Sequence, residues 1–166
     1  MITLCEIPDG LEAINDVYGC PDKDENFLLD SEFFDTKIRI YEIPFPLRLS
    51  WKPHVLTKHI QCHCGIGEVF VDALHEIGQY KGVDWLGEKR YDYYGGCFNF
   101  RKKRGQGELS IHSWGIAIDI NPHIAPHGKK SHQPEFIIKS FKDRGLSWGG
   151  NWLVPDGQHF QAAHGY

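Results

Sequence analysis

A chain of 166 residues, 41% hydrophobic and 24% charged, has the make-up of one ordinary globular domain, long enough to bury roughly 70% of the surface its unfolded form exposes. Its formal charge of −4 lacks the basic excess of nucleic-acid binders, and no apolar run nears the ~20 residues needed to span a bilayer. The N-terminus has no basic segment followed by an apolar one, so synthesis in a cytoplasm is expected, and the five cysteines are too irregularly spaced for a disulfide framework.

Asp9 to Gly19 predicts a short helix, with Asp9 as cap, an apolar stripe at Leu11, Ile14, Val17 and Tyr18, and Gly19 as its stop. The polar, acidic residues 21–37 suggest a surface loop, and Ile38–Tyr41 alternates like a strand that Pro44 and Pro46 would end. Pro53 then precedes a long helical pattern, with Cys62, Ile66, Val69, Phe70, Ala73, Leu74 and Ile77 at steps of three and four; this is expected to be the principal core helix. Cys62-His63-Cys64 lacks zinc-knuckle spacing and reads as buried helix residues, and His54, His59, His63 and His75 as non-ligands.

After Gly82 the chain is rich in aromatics and glycine, which suits strands lining a groove. Residues 116–120 alternate Ile116, Ile118 and Ile120 with Ala117 and Asp119, the period of a strand with one buried face, so Asp119 points away from the isoleucines. His112 precedes Gly115, which can turn the chain and fold the imidazole back toward Asp119. His123, His127 and His132 fall in a loop broken by proline and glycine and read as surface residues. Pro134 to Gly145 is a well-punctuated helix, with proline in its first turn, basic residues in its last and glycine as stop.

One imidazole and one carboxylate are two-thirds of an open catalytic zinc site, in which three protein ligands leave a position for water. The best third ligand is His159, on a short strand after the Pro155-Asp156-Gly157 turn, sharing a face with Gln161. Asp156, three residues before His159, is placed to take a proton from an activated water without being a ligand. Attack on a carbonyl builds negative charge on oxygen, which a guanidinium could stabilise by ~2.7–4 kcal/mol; Arg101 and Arg104 are the nearby candidates.

Ser110-x-His112-x-x-Gly115-x-Ala117-x-Asp119, followed some forty residues later by Asp156-x-x-His159-Phe160, resembles the signature of the VanY-type D-alanyl-D-alanine carboxypeptidase and L-alanyl-D-glutamate endopeptidase family. Trp148-Gly149-Gly150-Asn151-Trp152 resembles the run preceding the family's second motif, and Asn99 to Gly105 its arginine-containing approach to the first, which points to Arg101 over Arg104. The resemblance implies a hedgehog-like α+β fold: one domain over residues 1–166, with residues 1–50 included, and a small antiparallel sheet carrying the zinc site under packed helices.

It further implies one zinc ion held by His112, Asp119 and His159, with Asp156 as base and Arg101 as oxyanion partner. Ser110, Trp114, Trp148 and Trp152 become candidates for substrate contacts at the cleft. The implied substrate is the D-amino-acid-containing stem peptide of peptidoglycan, cut by a monomer without nucleic acid or membrane insertion. Lack of an export signal resembles compact phage endolysins, which reach the wall after release. The alternatives are a non-catalytic, zinc-bearing wall-binding module and a zinc N-acetylmuramoyl amidase.

Overall fold

In chain order the elements are α1 (Leu11–Tyr18), α2 (Ser31–Lys37), β1 (Ile38–Leu49), β2 (Lys52–His63), α3 (Gly67–Lys81), α4 (Val83–Lys89), β3 (Tyr93–Gly96), β4 (Ala117–Ile120), α5 (Glu135–Lys142), β5 (Ser147–Trp148) and β6 (His159–Gln161). Single 3-10 turns at Ile111–Trp114 and Gly149–Asn151 precede β4 and follow β5. The computed structural model describes residues 3–166 except 5, 104 and 106, so Cys5 and Arg104 lie outside the described residues.

The strands form one six-stranded sheet in the order β2-β1-β3-β4-β6-β5. The α+β class holds, but the sheet is mixed where an antiparallel one is expected, because β1 and β3 run parallel. Helix α3 packs across β1 and against α5. The core is continuous from Ile14 and Phe33 through Phe70 and Leu74 to Ile118, Phe141 and Phe160. None of the described helices is long and apolar enough to cross a membrane.

The largest departure from the sequence reading lies in residues 52–63, which form strand β2 where a helix is expected. They pair with β1 from Ile38↔His63 to Leu49↔Lys52, and their outer half carries exposed Lys52, Pro53 and His54 rather than a helical apolar stripe. β2 is an edge strand, so Pro53 lacks an N–H where none is needed. The three-and-four periodicity belongs to α3, which starts at Gly67, a position where the Tyr41 ring, 2.1 Å from where a Cβ would stand, leaves room for glycine alone. Cys62 and His63 therefore close a strand; His63 meets the Tyr18 carbonyl through Nε2 at 2.9 Å and accepts from the Gly65 N–H at Nδ1.

Strand β1 also passes through Pro44 and Pro46 instead of ending there. Pairing with β2 slips between Glu42 and Leu47, and the prolines occupy that irregular stretch, where no ladder hydrogen bond is required of them. Within the expected loop 21–37, Asp30 caps α2 by accepting from the Phe33 N–H at 2.8 Å, and Phe33 is buried. Helix α1 forms with Ile14 and Tyr18 buried, but Gly10 stands at its cap position, with no side-chain cap bond. Helix α5 follows Pro134 as expected.

Gly115 joins the first 3-10 turn to β4 at φ +70°, in the left-handed region, and a Cβ there would lie 2.8 Å from the His63 backbone nitrogen, which donates to the Gly115 carbonyl. Gly115→Ala should therefore cost about 1–3 kcal/mol. Thermal unfolding should show a midpoint lowered by roughly 2–4 °C per kcal/mol for a chain of this size.

Candidate metal centre

The site is assembled on the middle of the sheet. β4 and β6 are antiparallel with Asp119 directly opposite His159, so the two side chains leave the same face. Asp119 has room there because its neighbour on β3 is Gly95, where a Cβ would stand 2.6 Å from the Asp119 Cβ. His112 comes from the 3-10 turn that Gly115 reverses, and its ring meets that of His159 at a centroid distance of 5.0 Å.

Asp119 Oδ1 lies 2.9 Å from His159 Nδ1 and 3.4 Å from His112 Nε2, and the three atoms all lie within 4.8 Å of one another. Two ligand atoms each ~2.0–2.1 Å from a tetrahedral zinc would be roughly 3.3 Å apart, so the cluster has the dimensions of a metal site. The outer nitrogens agree. His112 Nδ1 lies 2.7 Å from the Cys97 carbonyl and His159 Nε2 lies 2.9 Å from Gln161 Oε1. Both partners accept, so each outer nitrogen carries the hydrogen and each inner nitrogen is turned toward the shared space. The expectation that His112, Asp119 and His159 converge is met, and the group could hold a metal ion.

Burial pushes the Asp119 carboxyl up, but the charge and hydrogen bonding of His112 and His159 outweigh it and leave its pKa well below the ordinary carboxylate range. Burial pulls His159 down; the hydrogen bond and charge of Asp119, with help from Asp156 and Gln161, reverse this and raise its pKa. When the His159 ring is protonated, its Nδ1–H faces Asp119 Oδ1, so a metal in the cluster would compete with that proton.

Asp156 lies beside this group. Its backbone N–H donates to the Gly149 carbonyl at 2.9 Å, its carbonyl accepts from the His159 N–H, and its Oδ1 accepts from Gln158 Nε2 at 3.0 Å. Gly149 is required because a Cβ there would be 2.6 Å from the Asp156 carbonyl oxygen. Burial raises the Asp156 pKa; the His159 charge opposes this and that of Asp119 adds to it. Trp148 steadies the loop by donating from Nε1 to the Gly157 carbonyl at 2.9 Å, and half-exposed Trp152 lies with its ring 5.4 Å from that of His159.

The other expected residues are placed differently. Trp114 is 1% exposed, donates to Asn15 Oδ1 and meets Tyr166 edge-on, so it packs the core and cannot wall a cleft. Ser110 is 5% exposed, and its backbone links the Arg101 carbonyl to the Ser113 N–H, a positioning role that leaves little surface for substrate. The Arg101 guanidinium is exposed and donates to the Lys102 carbonyl at 3.2 Å; among the described residues it makes no hydrogen bond or ion pair with the cluster. His123, His127 and His132 are exposed, as their loop suggests. Gln161 and the Cys97 carbonyl, which orient the two imidazoles, were not assigned a role from sequence, although strand alternation does put Gln161 on the face of His159.

The shifts give the metal-free protein a distinctive pH response. A raised His159 pKa contributes stability that is complete below its unfolded value of about 6.5 and is lost as pH rises through the folded value. His63 and His123, whose pKa values burial lowers, act in the opposite sense and only below about 6.5. Melting curves of metal-free protein should therefore show a midpoint that falls above pH ~6.5, a fall that His159→Gln abolishes. A bound metal, which competes with that proton, should reverse the slope.

No curated protein and no solved structure matches this chain. Residues 104–162 match the family described as D-alanyl-D-alanine carboxypeptidase, a segment that contains His112, Asp119, Asp156 and His159. The match is a similarity confined to about a third of the chain, and it falls on the part that builds the candidate metal centre.

Proposed function

We propose that this protein is a zinc-dependent peptidase that hydrolyses a peptide bond in the D-amino-acid-containing stem of peptidoglycan. It would act either as a D-alanyl-D-alanine carboxypeptidase or as an L-alanyl-D-glutamate endopeptidase. The observation that carries the reading is the convergence of His112, Asp119 and His159 beside a carboxyl whose pKa is raised. Two imidazoles and one carboxylate with a free position suit zinc in a hydrolase.

His112 Nε2, Asp119 Oδ1 and His159 Nδ1 would hold the ion. Zinc bound there supplies Lewis acidity, activating water and polarising the scissile carbonyl. Asp156 Oδ accepts the proton of the attacking water and returns it to the leaving amine. Its raised pKa makes it a stronger base for the first of these transfers than an ordinary aspartate, and its position on the loop keeps it distinct from the ligands. Trp152 offers an aromatic wall next to His159, and Arg101 must swing its exposed side chain inward to meet the developing oxyanion.

Two carboxyls shifted in opposite directions favour turnover over a wall-binding module, which has no use for a base. A role in phage lysis belongs to the same proposal, on the resemblance to compact endolysins.

Digestion of purified peptidoglycan with and without a chelator, with mass spectrometry of the new termini, tests the reading. New termini within the stem, lost with chelator and restored by zinc, are expected. A free lactyl group on muramic acid would identify an amidase instead, and zinc binding without any release a binding module. Asp156→Asn should lower kcat by about 10²–10⁴-fold with zinc still bound at one ion per chain; unchanged turnover would remove Asp156 from the role of base.

A further inference from the structure

We propose that Gln161 is a positioning residue that fixes the tautomer of His159 and thereby reserves its Nδ1 lone pair for a metal. The inference rests on the metal reading of the cluster but concerns a residue to which that reading assigns nothing.

Gln161 is 2% exposed, and its side-chain amide has two neighbours. Nε2 donates to the Ala163 carbonyl at 3.0 Å, and Oε1 lies 2.9 Å from His159 Nε2. A backbone carbonyl only accepts, so the amide cannot turn over without setting two oxygens against each other. Oε1 is therefore held toward the imidazole, and His159 Nε2 must be the nitrogen that carries the hydrogen.

The control matters because of what stands on the ring's other side. Asp119 Oδ1 is 2.9 Å from His159 Nδ1, so a neutral ring protonated at Nδ1 could donate to that carboxylate. Such a charge-assisted bond is about twice as strong as a neutral one, and it would fill the metal position with a hydrogen. The carboxylate favours the wrong tautomer and Gln161 opposes it. His112 needs no such residue, since its outer nitrogen faces the Cys97 backbone carbonyl. The strand supplies the geometry: residues two apart on β6 share a face, and Gln161 pairs across the ladders with the small residues Ala117 and Ser147, which leave room for its amide.

The test reads the tautomer directly, by 15N NMR of the imidazoles in metal-free protein at a pH where the rings are neutral, alongside zinc affinity by competition with a chromophoric chelator. The wild type should show the Nε2–H form at His159. Gln161→Leu should shift it toward Nδ1–H, weaken zinc binding by about 10–100-fold and leave the His112 tautomer unchanged. Gln161→Glu still accepts from Nε2–H; its second oxygen meets the Ala163 carbonyl, which lowers the melting midpoint but not the tautomer preference, so it should keep the native tautomer and bind zinc within about 10-fold of wild type. It also covers the case in which the leucine variant does not fold. The proposal is overturned if Gln161→Leu keeps the Nε2–H form with unchanged zinc affinity, or if Gln161→Glu loses it. Should wild-type protein bind no zinc while the tautomer still follows residue 161, the metal reading fails and the positioning role stands.

Discussion

The pairing of β4 with β6 in one register is the constraint from which the rest of the centre follows. Asp119 opposes His159 on one face of the ladder while Ile118 opposes Phe160 on the other, and both of those apolar residues are fully buried. Phe160 also stacks on Phe141 of α5 at a centroid distance of 4.3 Å. A slip of one residue would turn Ile118 and Phe160 out of the core and carry Asp119 and His159 into it. Hydrophobic burial on one face thus sets the alignment of Asp119 and His159 on the other, so core stability and the geometry of the candidate metal centre are one constraint.

That alignment gathers charge where burial penalises it. Asp119 is tolerated because two imidazoles share its field, and His159 because Asp119 does. The carboxyl of Asp156 goes the other way, because burial outweighs the His159 charge and the bond from Gln158. The partners around each carboxyl, two imidazoles at Asp119 and one amide at Asp156, thus drive two chemically identical side chains in opposite directions.

How much of this could be read from the letters varied with the kind of interaction. The ligands were legible because β4 has a strict period of two and the second motif sits after a proline-glycine turn, so local rules gave the right faces. Strand β2 was not, because Cys62 continues the spacing of α3 across Gly65, and a periodicity cannot say where it begins when turn residues resemble interruptions. Pro44 and Pro46 misled for the converse reason: a register irregularity tolerates what a regular ladder would not. Trp114 and Ser110 sit inside the first motif, yet they serve its folding rather than its surface, and only packing distinguishes the two. The Cys97 carbonyl was beyond reach altogether, being a backbone atom that any residue at that position would supply.

The site also divides its parts between elements of different rigidity. His159 and Asp119 lie on paired strands, and His112 on a turn tied to β2 through Gly115 and to the segment before it through the Asn99 N–H. Asp156 and Trp152 ride instead on the segment between β5 and β6. That segment is pinned near its ends by the contact of Gly149 with Asp156 and by the Trp148 bond to Gly157, while Leu153 between them is fully exposed. Elements with few buried contacts move at low free-energy cost, and elements inside a ladder do not. The candidate metal position therefore belongs to the sheet, while Asp156 and Trp152 belong to a loop that can adjust without disturbing the His112, Asp119 and His159 cluster. Arg101 fits the same division, since its backbone is fastened to Ser113 while its exposed guanidinium is held only by the adjacent Lys102 carbonyl among the described residues.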